Sequence, residues 1–89
     1  YSVMLFHRVP WSELSGRRIA LTTDSATSVH LLKVLLRESG IEAEFVPMPT
    51  DLDAMLTRCD AALLIGDAAL REAVAKREVN GVKPHITDL

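Results

Sequence analysis

The chain has 89 residues, which allows one domain. With 48% hydrophobic and 25% charged residues its composition is that of a globular protein, which excludes a disordered or low-complexity polymer. The net charge of -2, without any basic run, offers no electrostatic footprint for nucleic acid, and the longest apolar stretch, Ala61–Gly66, is far shorter than the roughly 20 residues of a membrane span.

In chain order, Val3–Phe6 is a short apolar run that reads as a strand, closed by Pro10. Trp11–Leu14 has room for a helical turn, and Ser15-Gly16 is a turn signal. Arg18–Leu21 is the next strand. The spacing of apolar residues then predicts a helix over Ala26–Ser39, stopped by Gly40. Val29, Leu31, Leu32, Leu35 and Leu36 fall on one broad arc of it, with His30, Lys33 and Arg37 opposite. Ser28 falls inside the apolar arc, in the first turn. Glu44–Val46 is β-like and is expected to end at Pro47 and Pro49. Thr50 or Asp51 caps a helix over Asp51–Arg58. Ala61–Ile65 is continuously apolar, as suits a strand buried on both faces. Asp67 is placed to cap a last helix, Ala68–Arg77, before an Asn80-Gly81 turn and an extended tail. Strands alternating with helices predict an α/β fold in three layers around a mostly parallel sheet. A chain this short buries only about 60–65% of its unfolded surface. Four aromatic residues in all make the core aliphatic.

In an open α/β sheet, ligands bind beyond the carboxyl ends of the strands, and two loops there have suitable chemistry. The first is Thr22–Ser28, rich in hydroxyl and carboxylate groups. The first-turn N–H groups of the following helix lack intrahelical partners, and with the helix dipole they favour an anion. Thr27 and Ser28 add hydroxyl donors, and a hydroxyl on the apolar arc needs a partner. Simple capping is the competing explanation, and Asp24 would repel an anion unless turned aside. The second loop is Gly66-Asp67. Glycine permits close approach of a ligand, and Asp67 is able to accept a hydrogen bond from a substrate hydroxyl; capping again competes.

The other candidates carry less chemistry. His30 shares a solvated face with Lys33 and Arg37; His7 ends a strand and His85 lies in the tail, neither with a carboxylate or serine partner in sequence. Cys59 has no base or partner thiol, cannot form an internal disulfide, and with three scattered histidines gives no zinc spacing, so no metal is expected. Trp11 after Pro10 reads as a packing anchor. There is no phosphate-binding glycine loop, no HExxH and no CxxC.

Ser2-Val3-Met4-Leu5-Phe6, Val9-Pro10-Trp11-Ser12-Glu13-Leu14, Gly16-Arg17-Arg18-Ile19-Ala20-Leu21-Thr22, Ser25-Ala26-Thr27-Ser28-Val29 and Leu31-Leu32 follow one another as they do in a known family, and so do Phe45-Val46-Pro47 and Asp60–Leu70. In order and spacing, over nearly the whole chain, they resemble the chorismate dehydratases of menaquinone biosynthesis by the futalosine route. That resemblance implies a cytoplasmic lyase that removes water from chorismate to give 3-[(1-carboxyvinyl)oxy]benzoate, without metal or organic cofactor. It implies one lobe of a type 2 periplasmic-binding-protein-like fold, with the other lobe of the same polypeptide as partner and chorismate between them. Residues 1–89 would be that single lobe, with crossover strands at both ends. It further implies that Thr27 and Ser28 bind a substrate carboxylate, helped by the backbone N–H groups of Ser25 and Ala26, and that Gly66 and Asp67 form the second cleft loop. The family's Tyr-Leu-Asn segment, expected to hold the proton acceptor, belongs to the other lobe. The catalytic groups are therefore expected outside this chain, and the isolated lobe is expected to be inactive. A dihydroxynaphthoate synthase of the same route shares the fold and the Thr-pair helix start, but has a catalytic histidine with no counterpart here. A lobe of a non-enzymatic solute-binding protein is the alternative from another class.

Overall fold

Short apolar runs bounded by turn residues form strands here, and runs whose apolar positions recur every three to four residues form helices. The computed structural model describes residues 3–22, 26–76 and 78–89, with residues 26–28 as backbone alone. Strand β1 (Val3–His7) leads through a 3-10 turn at Trp11–Glu13 to β2 (Arg18–Thr22). Helix α1 (Ala26–Glu38), β3 (Glu44–Met48), α2 (Leu52–Arg58) and β4 (Ala61–Ile65) follow. Helix α3 (Gly66–Ala75) and β5 (His85–Asp88) complete the described elements.

The strands form one sheet in the order β3-β2-β4-β1-β5. β2 pairs in parallel with both β3 and β4, whereas β1 pairs antiparallel with both β4 and β5. The sheet is therefore mixed, which corrects the expectation of a mostly parallel one. The cause is the connection after β1. A parallel return needs a crossover of a dozen or more residues, usually a helix, and the link from β1 to β2 has only the 3-10 turn. β1 therefore runs against the other four strands.

The sheet carries helices on both faces, giving the expected three layers. Val3, Leu5, Ile19, Leu21, Ala61 and Leu63 pack with Leu14 and with Leu32 and Leu36 of α1. On the opposite face Phe6, Ala20, Ala62 and Leu64 pack with Leu52, Met55 and Leu56 of α2 and Ala69 of α3. β4 lies between β2 and β1 and sends successive side chains into both cores, as its unbroken apolar sequence requires.

Other boundaries move for identifiable reasons. Pro47 lies inside β3, opposite Leu21, because β3 is an edge strand where a missing N–H faces no neighbour. Leu31 of the predicted apolar arc is 40% exposed; the buried stripe of α1 runs through Leu32 and Leu36. α3 starts at Gly66 rather than Ala68, and Lys76 ends it in a left-handed conformation, so it stops short of the predicted Arg77, which lies outside the described residues. The tail is a strand rather than merely extended, paired with β1 from His7↔His85 to Met4↔Asp88. The Asn80-Gly81 turn forms as predicted, with both residues at positive φ and Val79 bridged to Val82.

Candidate functional site

The common direction of β2, β3 and β4 brings their carboxyl ends to one rim of the sheet, and each leads there into a helix: β2 to α1, β3 to α2, β4 to α3. β2 and β4 are neighbours, paired through Leu21↔Leu63, so the starts of α1 and α3 adjoin along the rim from opposite faces. The described residues that flank the two loops, Thr22 and Ala26 for one and Ile65 for the other, thus lie at one edge. The reversed β1 brings its start to this edge, with Val3 opposite Ile65, and the Leu89 N–H donates to the Val3 carbonyl at 2.9 Å.

Ala26 opens α1, with Thr27 and Ser28 in its first turn. Ser28 stands one helical turn before the buried Leu32. Ser25 and Asp24 lie outside the described residues, as do the side chains of Ala26, Thr27 and Ser28. Gly66 has φ of 62° and carries the chain directly from β4 into α3, a conformation that costs a residue with Cβ about 1–2 kcal/mol. The early turn moves Asp67 off the capping position and into the first turn, where its side chain is exposed.

The three helix starts differ electrostatically. In α2 the Asp51 carboxylate caps the helix by accepting from the Ala54 N–H at 3.4 Å, and Asp53 adds a second acidic group in the first turn. In α3 the first turn contains Asp67. The first turn of α1 contains no acidic residue, and Arg37 occupies its last turn. A carboxylate caps α2 and another lies in the first turn of α3, where no side chain bonds the cap, whereas the first turn of α1 supplies none of its own.

The sequence gives no sign of the bond between the rim loops. Thr22 Oγ1, buried at the end of β2, lies 2.7 Å from Thr50 Oγ1 in the loop before α2. No local pattern links residues so far apart. The imidazole of His7, without a partner in the local sequence, is buried at the opposite end of the sheet and bonds to Val9 and Thr87. Trp11 packs against the α1-side core, as expected of an anchor. Cys59 lies in the other core, where burial pushes its thiol pKa up, so it is held as the unreactive thiol. His30 is exposed. A cavity of about 470 Å³ beside Lys33, Arg37 and Phe45 opens near the amino ends of β2 and β3, away from the rim. Among the described residues no group of His, Cys, Asp and Glu is arranged to hold a metal, and no helix is long and apolar enough to cross a membrane.

Against this geometry, the sequence model of the menaquinone biosynthesis family matches residues 1–89. The chain belongs to the menaquinone biosynthesis family. It is also 45% identical over 75 residues to the chorismate dehydratase of Thermus thermophilus. The match covers 84% of this chain and 27% of that relative, so the chain spans about a quarter of its length.

Proposed function

We propose that this chain is one lobe of a chorismate dehydratase with a type 2 periplasmic-binding-protein-like fold, and that the complete two-lobe protein is a cytoplasmic lyase converting chorismate to 3-[(1-carboxyvinyl)oxy]benzoate. The observation that carries this is the 45% identity to the chorismate dehydratase of Thermus thermophilus. The reaction removes the ring hydroxyl and one ring hydrogen as water and leaves an aromatic ring. It needs a base for the C–H proton and an acid for the departing oxygen, both held at hydrogen-bond distance. No cofactor is needed for that step.

Chorismate carries two carboxylates, and the start of α1 is the place in this lobe to hold one. The N–H groups of Ser25 and Ala26 and the hydroxyls of Thr27 and Ser28 are its proposed partners, acting with the dipole of a 13-residue helix. Gly66 and Asp67 line the same cleft from the start of α3. The base and acid are assigned to the other lobe. His7, the buried imidazole here, is committed to Val9 and Thr87 at the far end of the sheet.

Ser28→Ala in the complete protein tests the carboxylate contact. Loss of a hydrogen bond to a charged group is worth about 1.5–3 kcal/mol, or roughly 10- to 150-fold in kcat/KM for chorismate. Unchanged kinetics in a folded Ser28→Ala protein would remove Ser28 from the site.

A further inference from the structure

At the end of the sheet away from the rim, a group of ring and hydroxyl side chains gathers around His7, apart from the helix starts. His7 occupies the last position of β1, 3% exposed, directly opposite His85 of β5. Its Nδ1 lies 2.7 Å from the Val9 carbonyl oxygen, and its Nε2 lies 2.8 Å from Thr87 Oγ1. The His85 ring stacks on it at 5.3 Å between centroids and 22° between planes, and Trp11 meets it edge-on at 6.3 Å. A carbonyl oxygen only accepts, so Nδ1 carries the ring hydrogen and the neutral ring accepts the Thr87 hydroxyl at Nε2.

Apart from its backbone ladder with β1, β5 is little buried. It is an edge strand, with three of its four residues exposed. We propose that His7 is a proton-operated latch on β5: the neutral ring holds the strand through Thr87, and protonation of the ring releases it.

Protonation turns Nε2 from acceptor to donor, so Thr87 must rotate its hydroxyl and give up its own donation. It also places a cation in a buried site, stacked on a second imidazole. Among the described residues the neighbouring elements offer no counter-charge. β4 presents Ala61 opposite His7, the 3-10 turn presents Trp11, and β5 presents His85 and Thr87. Ile86 and Asp88 alternate to the other face of β5. Asp60 is drawn to Arg17 at 4.0 Å, Arg8 donates to the Leu56 carbonyl, and Glu13 and Lys83 are exposed. In keeping with this, burial lowers the His7 pKa from its ordinary value, the Val9 carbonyl opposes that shift, and His85 adds to it.

When β5 opens, His7 regains the proton affinity of an ordinary histidine, so opening takes up a proton. Opening is therefore independent of pH above the histidine range. It becomes easier as pH falls through that range and levels off below the lowered His7 value. The test is hydrogen exchange of the β1/β5 ladder amides in the intact protein, including the Leu89 N–H that donates to Val3, corrected for intrinsic exchange and followed from about pH 8 to about pH 5. Protection should be constant at the alkaline end and fall by at most about tenfold per pH unit below about pH 6.5. His7→Gln should abolish that slope, and nitrogen NMR of the wild-type imidazole at neutral pH should show the hydrogen on Nδ1. If His7→Gln does not fold, the wild-type slope and tautomer decide. Flat protection in the wild type, an unchanged slope in folded His7→Gln, or a hydrogen on Nε2 of the neutral ring would overturn the latch.

Discussion

Replacing Gly66 with alanine separates two explanations of the β4–α3 junction by the sign of the effect. If Gly66 were an ordinary helical residue, alanine would stabilise the protein by roughly 0.5–1 kcal/mol. Its φ is instead 62°, and a Cβ built there meets no heavy atom within 4 Å. Crowding therefore contributes nothing, and only the backbone preference remains. The left-handed conformation costs a Cβ-bearing residue about 1–2 kcal/mol, offset by about 0.4–1 kcal/mol from restriction of the unfolded chain. The net expectation is a destabilisation of about 1 kcal/mol, or about 4–8 °C in Tm for a domain of this size. Urea unfolding of wild type, Gly66→Ala and Gly66→Asn measures it, and asparagine, which tolerates the left-handed region, should recover part of the loss. A stabilising Gly66→Ala would refute the left-handed junction, and with it the placement of Asp67 in the first turn rather than at the cap.

Leu63→Ala in β4, fully buried against α1, should cost about 3–5 kcal/mol by denaturant unfolding, a large share of the roughly 5–13 kcal/mol expected for a chain of this length. Val74→Ser on α3, at 79% exposure, should change stability by less than about 0.5 kcal/mol in the same assay. Asp51→Ala should lower stability by about 0.5–1 kcal/mol, the weaker part of the capping range, because the bond to the Ala54 N–H is long and exposed. A thiol reagent should modify Cys59 only on unfolding, since burial both shields the thiol and disfavours its thiolate; rapid modification of the folded protein would contradict that placement.

The elements with the strongest local pattern were legible in the sequence. Ala61–Ile65 forms the strand its unbroken apolar run implies, and α1 ends one residue from its predicted limit because Gly40 takes up the left-handed conformation after it. Strand direction is not a local property. Periodicity marked β1 as a strand, but only the missing crossover helix before β2 implied that it would run against the others. β5 gives no pattern because it lies at an edge with little burial. The rim could be located from the two loops after β2 and β4. Its internal tie, Thr22 to Thr50, could not, and neither could the contact of His7 with Thr87, because both join residues far apart in the chain. The difference between the helix starts was partly visible, since Asp51, Asp53 and Asp67 are plain in the sequence. Their effect depended on where each helix begins, and for α3 that was set by a glycine conformation.

Turnover of chorismate tests the proposed function most directly. The complete protein and the 89-residue chain are to be purified side by side, incubated with chorismate and examined by mass spectrometry for 3-[(1-carboxyvinyl)oxy]benzoate. The complete protein is expected to form the product. The isolated chain is expected to form none and to bind chorismate at millimolar affinity or weaker, about -4 kcal/mol at best, because charge in a water-exposed half-site is screened. Absence of the product with a folded complete protein would contradict the dehydratase function, and product formed by the isolated chain would contradict the two-lobe site.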